Sequence, residues 1–190
     1  MRTGTLVYIV GASGVGKDSL LSFARPRLSD RRIAFAHRYI TRPCVGAEET
    51  HVPLTPAEFS LRLTHGLFAL HWDSHGVRYG IGREIDGWLS AGLTVVVNGS
   101  RAAVPRLLDR YPSPLVVMIT ASLDTLRRRL IARGREAGAD VEERLAGANR
   151  VPDGPADWHV IDNDGPLDQG GSRLVALLRQ TASPLSAPLQ

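Results

Sequence analysis

Several things are scarce in these 190 residues. There is a single cysteine, Cys44, so an intrachain disulfide and a cysteine-built zinc site are both excluded. That scarcity fits a reduced, cytoplasmic setting. Aromatic residues make up only 6% of the chain, and none alternate with basic residues as on a single-strand nucleic-acid surface. No apolar run approaches membrane-spanning length: "LVYIV" (6–10) is also too short for a secretory leader. The reading is therefore of no membrane and no nucleic-acid partner, although the net charge is +4. Oligomeric state is not legible. The sharpest scarcity is lysine. Of 23 basic residues, 22 are arginine and one is Lys17.

That lysine stands in "GASGVGKDSL" (11–20). Gly11, Gly16 and Lys17 fit the phosphate-loop pattern G-x-x-x-x-G-K-[ST], but Asp18 replaces the hydroxyl residue. Arginine grips phosphate with a planar fork, whereas lysine is a flexible point charge that reaches the β- and γ-phosphates. A basic residue placed here at this chain's usage would be lysine roughly one time in twenty, so the match speaks for a working loop over a glycine-rich turn.

The context agrees. "TLVYIV" (5–10) reads as a strand buried on both faces. Leu20, Leu21, Ala24 and Leu28 then recur at helical spacing, with Pro26 ending or kinking the helix near Ala24–Arg25. Further strands are expected at 32–40, 67–72 continuing through a turn at "SHG" into "VRYGI", 93–99, 114–121 and 157–164. Helices are expected at 55–66, 83–92, 122–134, 141–150 and 172–180, the first with Thr55 as cap, Pro56 behind it and Glu58 completing a capping box. Alternating strands and helices with uninterrupted apolar strands imply an α/β, three-layer P-loop NTPase fold around a parallel sheet. The expected organisation is one domain over 1–190. It holds an acceptor-binding insertion about 35–90, a helical lid about 122–148 and a frayed tail at 181–190.

In such a fold the loop Gly11, Ala12, Ser13, Gly14, Val15, Gly16, Lys17, Asp18 and Ser19 would hold ATP, with backbone N–H groups and a helix N-terminus turned toward the phosphates. Asp18 is the candidate Mg²⁺ ligand; the bland alternative is an acid placed in the first helical turn to suit the helix dipole. Asn98 ends the strand "LTVVVNGS", where many P-loop enzymes carry a metal-facing aspartate, so the carboxylate reads as moved into the loop. Arg129 and Arg133 lie four apart and share a helix face. Beside a phosphate loop they are candidates to clamp the transferring group, and alone they would read as a solvated basic face.

The chain resembles the guanylate kinases over nearly its whole length. "GASGVGK" is similar to their phosphate loop, "ITRP" to their acceptor-phosphate segment, "GLFALHWDSHGVRYGI" to their acceptor hairpin and "LRRRLIARG" to their lid. At the positions where that family reads guanine, this chain has Arg38, Thr50, Leu70, Arg78 and Asn98. A leucine leaves a polar purine edge unpaired, and the extra arginines favour an acceptor with more phosphate and no base. A closer resemblance, through "GKDSLL", "HRYITR", "GVRYGI", "EIDGWLSAG", "VVVNGSRA" and "DNDG", is to the ribose 1,5-bisphosphate phosphokinases of phosphonate breakdown. It implies ATP- and Mg²⁺-dependent conversion of ribose 1,5-bisphosphate to 5-phosphoribosyl 1-diphosphate, and makes Asp18 a family feature. Lys17, Arg129 and Arg133 would stabilise the transferring phosphate, with Arg144 joining them from the lid. Arg38, Arg42, Arg78 and Tyr79 would grip the acceptor phosphates, Asn98 and Arg101 would reach the ribose or its phosphate, and Asn163 would face the adenine. His51 and His75 are candidates for ribose hydroxyls or for turns. Trp72 and Trp88 read as core, and Cys44 as incidental. A true guanylate kinase and a non-catalytic binding module of that fold are the competing readings.

Overall fold

The computed structural model describes residues 4–29, 31–44, 51–133, 145 and 158–182. Five strands form the main sheet, all parallel: β1 (Leu6–Gly11), β2 (Ile33–Phe35), β7 (Thr94–Asn98), β8 (Leu115–Thr120) and β9 (His159–Asp162), in the order β2-β7-β1-β8-β9. The central strand β1 shows why the run is apolar throughout. Val7 and Ile9 pack into one core cluster, and Leu6, Tyr8 and Val10 into another on the opposite face. A strand alternates its side chains across the sheet, so both faces must be apolar when helices cover both.

Helices α1 (Lys17–Ala24), α5 (Leu123–Arg133) and α6 (Leu167–Thr181) cover one face through Leu20, Leu126, Leu130, Leu174 and Leu178. Helices α3 (Glu84–Ser90) and α4 (Val104–Arg110) cover the other through Ile85, Val104 and Leu107. α1 stops at Ala24 and continues as a 3-10 turn over Arg25–Leu28, which contains Pro26. The three layers expected from the alternation are thus present, as is the break at Ala24–Arg25.

A second sheet of four strands is inserted between β2 and β7, in the order β4-β3-β6-β5. It comprises β3 (Arg38–Ile40), β4 (Val52–Pro53), β5 (Phe68–Ser74) and β6 (Val77–Gly82). Here the single strand expected at 32–40 is corrected: β2 belongs to the main sheet and β3 to the second. The chain leaves the main sheet after Ala36, whose N–H still reaches the Val96 carbonyl at 2.9 Å. The apolar run hides this because both sheets are half-buried there. β5 and β6 form an antiparallel hairpin through His75 (φ 50°) and Gly76 (φ 70°), the left-handed pair that a tight two-residue turn demands. A register shift between Phe68 and Leu70 sends Phe68 outward, against Phe59 of α2 (Pro56–Thr64), and Leu70 inward to the main core.

α2 begins as expected, the Glu58 N–H reaching Thr55 Oγ1 at 3.1 Å, but the Glu58 carboxylate turns to Arg62 instead (2.9 Å). α4 was not expected from the sequence, although Pro105 stands in its first turn and Val104 and Leu107 recur at helical spacing. α6 begins five residues before the expected start and includes the Gly170–Gly171 pair. Cβ atoms at these positions would meet Asn163 Oδ1 at 2.6 Å and the Phe23 ring at 2.4 Å, so close packing accounts for both glycines. The helix expected at 141–150 lies outside the described residues except for Leu145, which is buried in the core. Most of the lid segment after Arg133, and the tail from 183, also lie outside them. Among the described residues no helix is long and apolar enough to cross a membrane.

Candidate active site

The glycine loop joins β1 to α1, and its shape follows from two left-handed residues, Gly14 (φ 78°) and Gly16 (φ 94°). Each has little room for a Cβ: at Gly14 it would meet Leu130 of α5 at 3.0 Å, at Gly16 the Asn163 amide at 2.5 Å. The loop is therefore pressed against α5 and the end of β9. Lys17 Nζ donates to the carbonyls of Gly11 (2.7 Å) and Ala12 (3.1 Å), which keeps the ammonium at the loop. Ser13 and Ser19 flank this loop and the first turn of α1, both half-buried.

Asp18 is the centre of the site. Its Oδ1 accepts from Arg38 Nη2 at 2.5 Å and from Asn98 Nδ2 at 3.0 Å. Three expected residues from three separate segments, 20 and 80 positions apart from Asp18, are thus brought together. β1 and β7 are neighbours in the sheet, with Ile9 paired to Asn98, so the loop and the end of β7 meet side by side. Asn98 is itself placed by the buried Tyr8. That phenol donates to the Ser100 carbonyl (3.2 Å) and accepts from the Ser100 N–H (3.0 Å). Burial pushes its pKa up despite the bond from the Ser100 N–H, so it stays a neutral donor. Asn98 is 6% exposed, and its Oδ1 has no hydrogen-bond partner. A buried acceptor left open in this way is costly unless something else meets it. It borders a cleft between α1 and the ends of β2 and β7, lined also by Asp18, Arg25, Phe35 and Arg38.

The second sheet separates the other expected grips. Opposite residues of antiparallel neighbours share a face. Ile40 pairs with Tyr79 and Arg38 with Ile81, so Arg38 and Tyr79 share the inner face. Tyr79 stacks on Trp72 there, rings 5.5 Å apart and parallel. Arg78 lies on the outer face: its guanidinium sits 4.4 Å from the Phe59 ring centre and donates to Ser60 Oγ at 2.9 Å. Arg42 follows β3, and its carbonyl shares a 2.9 Å hydrogen bond with the buried His51 Nε2. His51 thus braces the acceptor loop, and His75 forms the hairpin turn. Cys44 donates to the His51 carbonyl at 3.2 Å. Arg101 opens a 3-10 turn after β7, where burial lowers its pKa. Trp72 is buried and Trp88 packs against the same core.

On the opposite side of the loop, Arg129 donates to the carbonyls of Val15 (3.3 Å) and Asn163 (2.9 Å). Asn163, 3% exposed, donates to Val15 O at 2.8 Å. Both residues rivet the phosphate loop to the end of β9, a bracing arrangement that sequence spacing did not reveal. Arg133 ends α5 and its side chain lies outside the described set; so does all of Arg144.

The site accommodates the groups that the loop implies. Gly14 and Gly16 take the left-handed conformations that a phosphate-binding turn requires, and the Lys17 ammonium lies at the loop. Both contacts to Asp18 fall on Oδ1, and its side chain is 41% exposed, so a hard carboxylate oxygen, Oδ2, stays accessible to a divalent cation or its waters. Among the described residues no cluster of three or more His, Cys, Asp or Glu offers a second metal site.

Comparison with known proteins agrees with this geometry. No family model matches the chain. A curated protein of Burkholderia pseudomallei named ribose 1,5-bisphosphate phosphokinase PhnN is 54% identical over 184 residues, covering 96% of this chain and 99% of that protein. A protein of the same name from Desulfomicrobium baculatum is 51% identical over 177 residues, covering 93% and 95%. A crystal structure of guanylate kinase from Anaplasma phagocytophilum superposes with a TM-score of 0.67 at 17% identity, covering 94% of this chain and 86% of that one. That likeness establishes the fold alone. With half its residues shared along nearly the full length of such relatives, this chain belongs to the ribose 1,5-bisphosphate phosphokinase (PhnN) family of kinases.

Proposed function

We propose that this kinase transfers the γ-phosphoryl group of ATP to the C1 phosphate of ribose 1,5-bisphosphate, yielding 5-phosphoribosyl 1-diphosphate and ADP. The observation that carries the reading is the Asp18–Arg38–Asn98 cluster. A cation, Arg38, and an open amide oxygen, Asn98 Oδ1, both beside the first turn after the glycine loop, support a sugar phosphate as acceptor. The names of the relatives support the same acceptor. A purine finds little to bind: Leu70, at a guanine-reading position of the guanylate kinases, is 3% exposed and buried in the core.

In the reaction an oxygen of the C1 phosphate forms a new bond to Pγ. The bond from Pγ to the β,γ-bridging oxygen breaks, and its electron pair leaves with ADP. The attacking oxygen is anionic at neutral pH, so no base must remove a proton. Catalysis rests on alignment and on neutralising charge as it spreads over the equatorial oxygens. Lys17 leaves its two carbonyls for the β- and γ-phosphates. Arg38 and Arg42, from the second sheet, hold the acceptor in line, and Tyr79 backs them on the inner face. Arg129 and Asn163 keep the loop in the shape that its N–H groups require, and the lid arginines Arg133 and Arg144 complete the charge balance. Mg²⁺ carried with the nucleotide would be held by Asp18 and would screen the triphosphate charge.

Product analysis tests the proposal. ATP with ribose 1,5-bisphosphate should give ADP and 5-phosphoribosyl 1-diphosphate, and GMP should be a poor acceptor. Efficient formation of GDP with no product from the sugar would replace this reading by guanylate kinase activity.

A further inference from the structure

One guanidinium in the cleft has no part in the steps above. Arg25 lies seven residues after Asp18, about two helical turns on, where α1 gives way to the 3-10 turn, and both side chains line one wall of the cleft. Its guanidinium carbon sits 4.7 Å from the centre of the Phe35 ring, at the end of β2. A guanidinium held over an aromatic face keeps its N–H edge free to bind anions. Among the described residues Arg25 has no acidic partner and its guanidinium no hydrogen-bond acceptor. The cleft's other cation, Arg38, is neutralised by Asp18 through Nη2. Arg25 is therefore the uncompensated charge of the cleft, and the orphaned Asn98 Oδ1 opens onto the same space.

Placement decides which part of a ligand it serves. The phosphate under attack must lie beside Lys17 and the loop. Arg25 is two helical turns away, roughly 10 Å along the axis, and is out of reach of that phosphate. We propose that Arg25, with Arg38, holds the acceptor phosphate that is not phosphorylated, while Asn98 Oδ1 accepts a hydrogen bond from a sugar hydroxyl between the two ends. The subsite selects a doubly phosphorylated sugar over one with a single phosphate. It rests on the kinase reading above and extends it by a residue and a specificity.

The test compares ribose 1,5-bisphosphate with ribose 1-phosphate as acceptors for the wild type and Arg25→Gln. The ratio of their kcat/KM values should fall tenfold or more in the variant, chiefly through KM for the bisphosphate. Arg25→Lys, which keeps a point charge, should recover part of the ratio. In parallel, the rise in melting temperature that ribose 5-phosphate gives the wild type should be lost in Arg25→Gln. A ratio within twofold of wild type, or an equal loss on both acceptors, overturns the subsite while leaving the kinase reading intact. A wild type that phosphorylates neither sugar overturns that reading and the subsite with it.

Discussion

At the residue scale the chemistry turns on Lys17 and Asp18. A point charge on a flexible stem can swing from the carbonyls of Gly11 and Ala12 to a phosphate; a guanidinium in that place could not do so without distorting the loop. Lys17→Ala should lower kcat by about a hundredfold or more, since a lost charge-stabilising donor costs about 3 kcal/mol of transition-state energy. Circular dichroism and melting temperature should remain close to wild type, because the ammonium's bonds to the Gly11 and Ala12 carbonyls tie it to the loop and not to the packed core. Asp18 anchors Arg38 and Asn98, and in the proposed reaction it would also offer Oδ2 to a cation. Asp18→Ser removes both. The Mg²⁺ concentration needed for half-maximal protection by ATP in a thermal-shift titration should rise severalfold; unchanged Mg²⁺ dependence would show that the carboxylate serves the ion pair alone.

At the scale of elements, the site depends on strand ends being held in place. Gly99 follows β7, and a Cβ there would lie 2.0 Å from the buried Tyr8 ring, which cannot move aside. Gly99→Ala should cost about 1–3 kcal/mol by overpacking, read as a lower urea midpoint, and should also weaken acceptor binding, because Asn98 and Ser100 move together. Asn163→Ala removes the bond to Val15 O and unpins the loop from β9. A loss of about 0.5–1.5 kcal/mol is expected for the missing buried hydrogen bond, since the Val15 carbonyl keeps its longer bond from Arg129, together with a raised KM for ATP and little change in KM for the sugar. Equal rises in both KM values would mean that Asn163 supports the fold generally and not the nucleotide loop.

For the whole molecule, the charges outside the cleft tune stability. Burial, and then the nearby Arg106, lower the pKa of His71 on β5 below its ordinary 6.5. The unfolded chain therefore takes up this proton more readily than the folded one. Stability is full above pH 6.5 and falls as the pH drops from there through the lowered folded value. His71→Gln should flatten the decline of melting temperature over that acidic range. Between α3 and α4, Asp86 accepts from Tyr111 (2.5 Å) and Arg110 (2.6 Å). Burial raises the Asp86 pKa, but the hydrogen bonds from Tyr111 and Arg110 outweigh it and leave the carboxyl lowered; the same environment pushes the Tyr111 phenol up to about 12.

What the sequence determined by itself was local. A glycine loop between an apolar strand and a helix, with one lysine in a chain of arginines, marks the candidate phosphate site because that backbone shape and charge need those residue types at those intervals. Apolar periodicity likewise marks β1, β7 and β8, whose two faces are both covered. The Asp18–Arg38–Asn98 meeting was only half legible: each residue stood out, but no spacing in the chain says that positions 18, 38 and 98 touch. Parallel pairing of β1 with β7, and the passage of the chain into a second sheet after Ala36, decide that. Tertiary structure also put Arg78 on the face away from Arg38, turned Arg129 and Asn163 into braces, and brought Arg25 to the cleft. The physical reason is common to all four. Residue type sets what a side chain can bind, whereas the face it occupies and the partners it meets depend on sheet register and layer packing, which join segments far apart in the chain.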